Sequence, residues 1–117
     1  MILQLHKSQP SPDLCRLDFS GKLMMGNDSR QVEWKITDLM AAGVKRVIFD
    51  LSGLDSIDST GVGIIVMCHA KLQKAGGNLR IAGPQGIVLD TLLMTHVDRL
   101  VQFFPTAEEA AQNFVAA

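Results

Sequence analysis

The run Arg46-Val47-Ile48-Phe49-Asp50-Leu51 constrains this chain most, because Val47, Ile48, Phe49 and Leu51 are apolar at both odd and even positions. Successive strand side chains point to opposite faces, so such a run belongs in a sheet covered on both sides. A helix pattern follows, from Thr60 through Val62-Gly63-Ile64-Ile65-Val66-Met67-Cys68 to Lys74. Between the two, Asp50-Leu51-Ser52-Gly53-Leu54-Asp55-Ser56-Ile57-Asp58-Ser59-Thr60-Gly61 concentrates carboxylates and hydroxyls, and function is expected in this loop. Ser59 falls near a helix N-terminus, where backbone N–H groups lack intrahelical partners and the dipole favours negative charge. A phosphate added there need not unfold the domain.

The other elements follow from periodicity. Leu3 and Leu5 alternate with Gln4 and His6, and Cys15, Leu17 and Phe19 with Arg16 and Asp18, as half-buried strands do, with Pro10-Ser11-Pro12-Asp13 as the turn. Asp28 followed by Gln31 forms a capping-box pattern ahead of the stripe Val32, Ile36, Leu39 and Met40, and that helix ends near Gly43. The second helix stops at Gly76-Gly77, and Leu79-Arg80-Ile81 reads as a strand. Gly83-Pro84 opens a third helix to about Met94, Leu100 to Phe104 is a short strand, and Thr106 with Glu109 caps a terminal helix. The order ββαβαβαβα over residues 1–117 implies one α/β domain, a mixed sheet carrying helices.

Hydrophobic residues make up 47% of the 117, enough to bury a core without covalent staples. A net charge of -1 offers no basic field for a phosphate backbone, and five Phe with one Trp leave few platforms for stacking bases, so direct nucleic-acid binding is not expected. Cys15 and Cys68 form no Cys-x-x-Cys and read as buried thiols of a reducing cytoplasm. The alternating start, Met1 to His6, lacks the apolar block of a signal peptide, and Val62 to Cys68 is too short to cross a bilayer. A cytoplasmic protein without membrane insertion is expected, and its oligomeric state is not legible.

Several chemistries suit a polar loop of this kind, and the spacing of its residues separates them. A nucleophile elbow needs Gly-x-Ser-x-Gly, whereas Ile57-Asp58 precedes Ser59 and Thr60-Gly61 follows it. His69 lies ten positions along the same helix, on the order of 15 Å away, so only His6 or His96 could act as a base. Gly61 and Gly63 begin a dinucleotide-type pattern whose third glycine position is Val66, and no Gly-Lys-Ser/Thr exists; the two glycines read instead as a close approach of the helix to the sheet or a partner. Asp50 ends a buried strand, but the further carboxylates of a Mg²⁺-dependent phospho-acceptor are missing, so Asp50 is expected to fix the loop as a hydrogen-bond acceptor. Three scattered histidines and two distant cysteines make no zinc site. No enzyme activity, metal or cofactor is expected. The residues alone leave two readings of Asp58, Ser59 and Thr60 open: a plain helix cap, or a regulatory phosphosite.

On the helical wheel Ile65, Cys68 and Leu72 share one side, while Gly63, Met67, Ala70 and Lys74 lie opposite and form the expected docking face. Trp34 also falls off its helix's core stripe, among Arg30, Thr37 and Asp38.

The chain resembles the STAS domain of anti-sigma-factor antagonists over essentially its whole length. Asp50-Leu51-Ser52 leading to Asp58-Ser59-Thr60-Gly61-Val62-Gly63 is similar to that family's Asp-Ser-Ser/Thr-Gly loop and helix. Gly21-Lys22-Leu23, Gly77-Asn78-Leu79-Arg80-Ile81 and Phe103-Phe104-Pro105-Thr106-Ala107-Glu108-Glu109-Ala110 support the match. The resemblance implies that Ser59 is phosphorylated by a partner that is both anti-sigma factor and serine kinase, with Asp58, Thr60 and Gly61 forming the phosphosite loop. It further implies that the unphosphorylated form binds that partner and frees a sigma factor, and that a metal-dependent serine phosphatase restores this form. An alternative within the family is a constitutive accessory subunit of a lipid-transport ATPase complex or signalling scaffold.

Overall fold

The computed structural model describes residues 2–114; Met1 and residues 115–117, the ends of the expected 1–117 domain, lie outside the described residues. The elements are β1 (Gln4–Ser11), β2 (Leu14–Leu23), α1 (Asn27–Ala41), β3 (Arg46–Ile57), α2 (Ser59–Lys74), β4 (Asn78–Ala82), α3 (Gly86–Met94), a 3-10 turn (Val97–Arg99), β5 (Gln102–Phe104) and α4 (Ala107–Ala111). This is the order read from the sequence. The five strands lie side by side as β1-β2-β3-β4-β5; β1 runs antiparallel to β2 and the remaining neighbours are parallel.

The central strand is covered as its composition requires. Val47, Phe49 and Leu51 join a core with Val32, Ile36 and Leu39 of α1, Ile65, Cys68 and Leu72 of α2, and Val88 and Leu92 of α3. Phe49 meets Phe19 of β2 at 4.8 Å between tilted rings. Ile48 points the other way, into a second cluster with Leu14, Ala82, Ala107, Ala110 and Phe114, so α4 and the segment after it cover the opposite face.

Several boundaries differ from the sequence reading. β3 does not end at Leu51 but continues to Ile57 beside β2, pairing Ser20 with Gly53, Gly21 with Leu54, Lys22 with Ser56 and Leu23 with Ile57. Register shifts at two points let β3 carry more residues than β2, so the polar Ser52-Gly53 and Asp55-Ser56 pairs, which read as loop, are strand irregularities. Gly53 is required there, since a Cβ would lie 2.8 Å from the Phe19 carbonyl oxygen. Asp28 and Gln31 do not box the start of α1: the N-cap is Gly26, at φ 99°, with no side-chain cap. Only glycine adopts that backbone at no steric cost, so the helix starts from a cap two residues earlier than Asp28 would place it. α3 begins at Gly86 rather than Gly83-Pro84, and β5 at Gln102 rather than Leu100. Thr106 does cap α4, its hydroxyl accepting from the Glu109 N–H at 3.1 Å.

Both cysteines are buried. Burial pushes the Cys68 thiol from 9.0 up to about 12. Between those values the folded chain keeps the thiol proton while the unfolded chain releases it. The unfolded state then binds fewer protons, so stability falls as pH rises through that window and does not depend on this thiol's titration below it. Denaturant midpoints should therefore drop more steeply between about pH 9 and about pH 11 in the parent protein than in Cys68→Ala, measured as paired urea titrations.

Candidate functional site

The site forms where the extended β3 turns into α2. Asp58, with φ -105° and ψ -177°, is the N-cap of α2, and its carbonyl accepts the first helical bond from Val62 N–H at 3.0 Å. Its Oδ1 accepts from Gly61 N–H at 2.8 Å, satisfying one of the donors that a helix start leaves unpaired. Its Oδ2 accepts from Met25 N–H at 3.0 Å, in the turn between β2 and α1. The Asp58 N–H in turn reaches Leu23 O at 3.3 Å. One residue thus caps α2 and ties it to the turn before α1, the helix that lacks a side-chain cap of its own.

Ser59, the first residue of α2, is exposed, as is Thr60 beside it. Gly61 is buried against β2: a Cβ there would sit 2.5 Å from Leu23 O and 2.7 Å from Ile57 Cγ1. Gly63 differs, being exposed with open space for 4 Å around the position a Cβ would take, so the close approach to the sheet belongs to Gly61. On the outer side of α2, Ala70 and Lys74 are exposed with Gly63, whereas Met67 is half-buried. The exposed part of the expected face is therefore made of two small residues and one lysine, with Met67 only partly accessible. Met25, at the turn held by Asp58, is 72% exposed, and Trp34 on α1 is 64% exposed.

Asp50 does fix the chain as an acceptor, though within β3 rather than in a loop. Its Oδ1 accepts from Ser52 N–H at 3.0 Å and from Ser52 Oγ at 2.7 Å, and its Oδ2 from Arg16 at 3.1 Å. Arg16 also donates to Asp18 at 2.7 Å and to Glu108 at 2.9 Å, and these hydrogen bonds hold its guanidinium above its ordinary pKa. This cluster borders a polar trough of about 600 Å³ whose lining includes His6, Asp18, Asp50 and Ser52 but not Ser59. His6 therefore belongs to a different surface from the Ser59 hydroxyl. His69, on α2, is buried, and its Nδ1 has no hydrogen-bond partner among the described residues. Among the described residues no three His, Cys, Asp or Glu side chains converge on a metal position, and no helix is long and apolar enough to cross a membrane.

The bond between Asp58 and the Met25 amide was not legible in the sequence, since 33 residues separate the partners. The N-cap role was legible from residue type and position.

The two glycines of α2 should respond to the same substitution with opposite sign. Gly61→Ala, forced against the Leu23 carbonyl, should cost about 1 to 3 kcal/mol. Gly63→Ala, in open space on an exposed turn of helix, should gain about 0.5 to 1 kcal/mol. Denaturant unfolding of both variants checks this; a stabilised Gly61→Ala would contradict the contact with β2.

Known proteins share this fold. The model of the STAS domain matches residues 7–110. A protein of Thermotoga maritima named "Putative anti-sigma factor antagonist" is 29% identical over 81 residues, covering 69% of this chain and 72% of that protein. A crystal structure of an anti-sigma factor antagonist described in the same terms, also from Thermotoga maritima, superposes with a TM-score of 0.81 at 25% identity, over 91% of this chain and 90% of the other. The anti-sigma factor antagonist SpoIIAA shares the fold in its unphosphorylated form, with a TM-score of 0.72 at 21% identity over 92% of this chain and 94% of that one. Its phosphorylated form from Bacillus does so with a TM-score of 0.73 at 19% identity, over 92% and 96%. The match across nearly all of the described sheet and helices settles the family: the chain belongs to the STAS domain family.

Proposed function

We propose that this protein is an anti-sigma-factor antagonist, a binding module rather than an enzyme, whose affinity for an anti-sigma factor is switched by phosphorylation of Ser59. The observation that carries this reading is the placement of Ser59: an exposed hydroxyl on the first residue of α2, next to an N-cap whose carboxylate is already engaged. A phosphate at that position adds about -1.5 to -2 charge beside Asp58 and the exposed Asp55. The helix dipole favours that charge within the domain, while a partner surface matched to a neutral hydroxyl meets repulsion and desolvation. Moving a complex from mostly bound to mostly free requires the two states to differ by on the order of 3 to 5 kcal/mol, a magnitude that a desolvated interfacial charge supplies. The names of the relatives support this reading, as does the existence of SpoIIAA in both forms.

In this reading the partner docks over Ser59 and along Gly63, Ala70 and Lys74, with the half-buried Met67 at the edge. The same partner, an anti-sigma factor with serine kinase activity, modifies Ser59, and a metal-dependent serine phosphatase reverses the modification, all in the cytoplasm and upstream of transcription.

Intact mass and phosphosite mapping of native protein, with identification of what co-purifies, should find phosphate on Ser59 and a kinase-like partner. Calorimetry with that purified partner should then show tight binding by the unmodified protein and Ser59→Ala, and binding weakened by about two to four orders of magnitude after phosphorylation. Ser59→Asp should fall between them, because it carries one charge and fewer acceptor oxygens. Equal affinities across the unmodified, phosphorylated and alanine forms would eliminate the switch and leave a constitutive accessory subunit as the better description.

A further inference from the structure

We infer that Asp58 transmits the state of Ser59 to the turn between β2 and α1, so that phosphorylation changes the presentation of Met25 as well as the charge of α2. The inference rests on the reading of Ser59 as the modified residue. Its geometry is independent of any partner: the two oxygens of one carboxylate are divided between two elements, Oδ1 to Gly61 N–H of α2 and Oδ2 to Met25 N–H of the turn.

The turn has little else to hold it in the same way. α1 starts from Gly26 at φ 99° without a side-chain cap, and Ser29 Oγ, at 2.9 Å, donates to the Gly26 carbonyl rather than accepting an N–H. The Met25 amide is therefore secured from across the fold, by Asp58. Met25 is 72% exposed, so a change in this turn alters the surface directly.

A phosphate on Ser59 is the immediate chain neighbour of that carboxylate. It competes for the same helix N-terminal N–H groups and repels Asp58. A charge near -2 about 6 Å from a carboxylate, in water and screened by salt, shifts a local equilibrium roughly threefold to tenfold. Of the two bonds, the one to Gly61 is buttressed by the helix and by the packing of Gly61 on Leu23, whereas the one to Met25 holds an exposed turn. The Met25 bond yields first. Asp58 is thus a positioning residue, acting through the Met25 backbone.

Amide hydrogen exchange read residue by residue tests this on the isolated full chain, without a partner. Three forms are compared: unmodified protein, protein carrying phosphoserine installed at position 59 by genetic encoding, and Asp58→Asn. Asparagine remains a good N-cap but offers one acceptor oxygen instead of two, so it should keep the Gly61 bond and surrender the Met25 bond. Phosphorylation should lower Met25 amide protection roughly threefold to tenfold, and Asp58→Asn should lower it at least as far, with the amides of Phe49 and Ile81 in the core unchanged in both. Unchanged Met25 protection in the phosphorylated protein overturns the coupling, and so does an Asp58→Asn variant in which Met25 stays protected. A uniform fall across core amides also overturns it, because that is global destabilisation. Since no partner is present, failure here leaves the affinity measurement on Ser59 intact, and failure of that measurement leaves this result readable.

Discussion

The burial of β3 on both faces is the constraint from which the rest of the structure follows. Val47, Phe49 and Leu51 are satisfied by α1, α2 and α3, but Ile48 needs cover on the opposite side, and α4 is only five residues long. A helix that short is marginal by itself. It is held by arginines from the sheet: Arg80 donates to the carbonyls of Ala110 and Gln112 at 3.0 and 2.9 Å and to Asn113 at 3.3 Å. Its guanidinium lies 4.8 Å from the Phe104 ring centroid and 4.4 Å from that of Phe114. The end of α4, where carbonyls lose their intrahelical partners, thus finds its donors in a strand. Arg46 adds a bond to the Phe114 carbonyl at 2.6 Å while pairing with Asp13 across the β1 to β2 turn.

The cover on that face is partial, and the exposed portion is polar. Where β1 and β2 extend beyond α4, the sheet carries His6, Arg16, Asp18 and Asp50, with Arg16 shared among three carboxylates. Glu108 is largely exposed, so its pair with Arg16 adds little stability, while Asp50, nearly enclosed, gains its tolerance from having both oxygens satisfied. The face that carries α4 is thereby solvated over one half and dry over the other.

Against this rigid frame the Ser59 region keeps packing and exposure apart within a few residues. Gly61 lies against Leu23 with no room for a side chain, Asp58 uses both oxygens in bonds to the backbone, and Ser59 between them stays in solvent. A charge added at Ser59, as the proposed switch requires, would therefore fall on the surface and away from the core. The coupling to Met25 extends the same economy of parts, since the cap of one helix also secures the approach to another.

The sequence by itself determined the order of elements, the double-sided burial of β3, the inward stripe of α2 at Ile65, Cys68 and Leu72, and the position of Ser59 at a helix start, because these depend on local periodicity and cap chemistry. It also carried the family in the spacing of Asp58-Ser59-Thr60-Gly61. What only the tertiary structure decided depends on neighbours distant along the chain. Ser52-Gly53 and Asp55-Ser56 have the composition of a loop, yet pairing with β2 draws them into a strand with register shifts. Asp28 and Gln31 have the spacing of a capping box, yet a glycine turn takes the helix start and Asp58 anchors the approach to it. Gly61 and Gly63 look alike in sequence, and only the Leu23 carbonyl distinguishes them. Turn residues, caps and glycines record which backbones are allowed, and the choice among those backbones belongs to the contacts that the folded sheet brings to them.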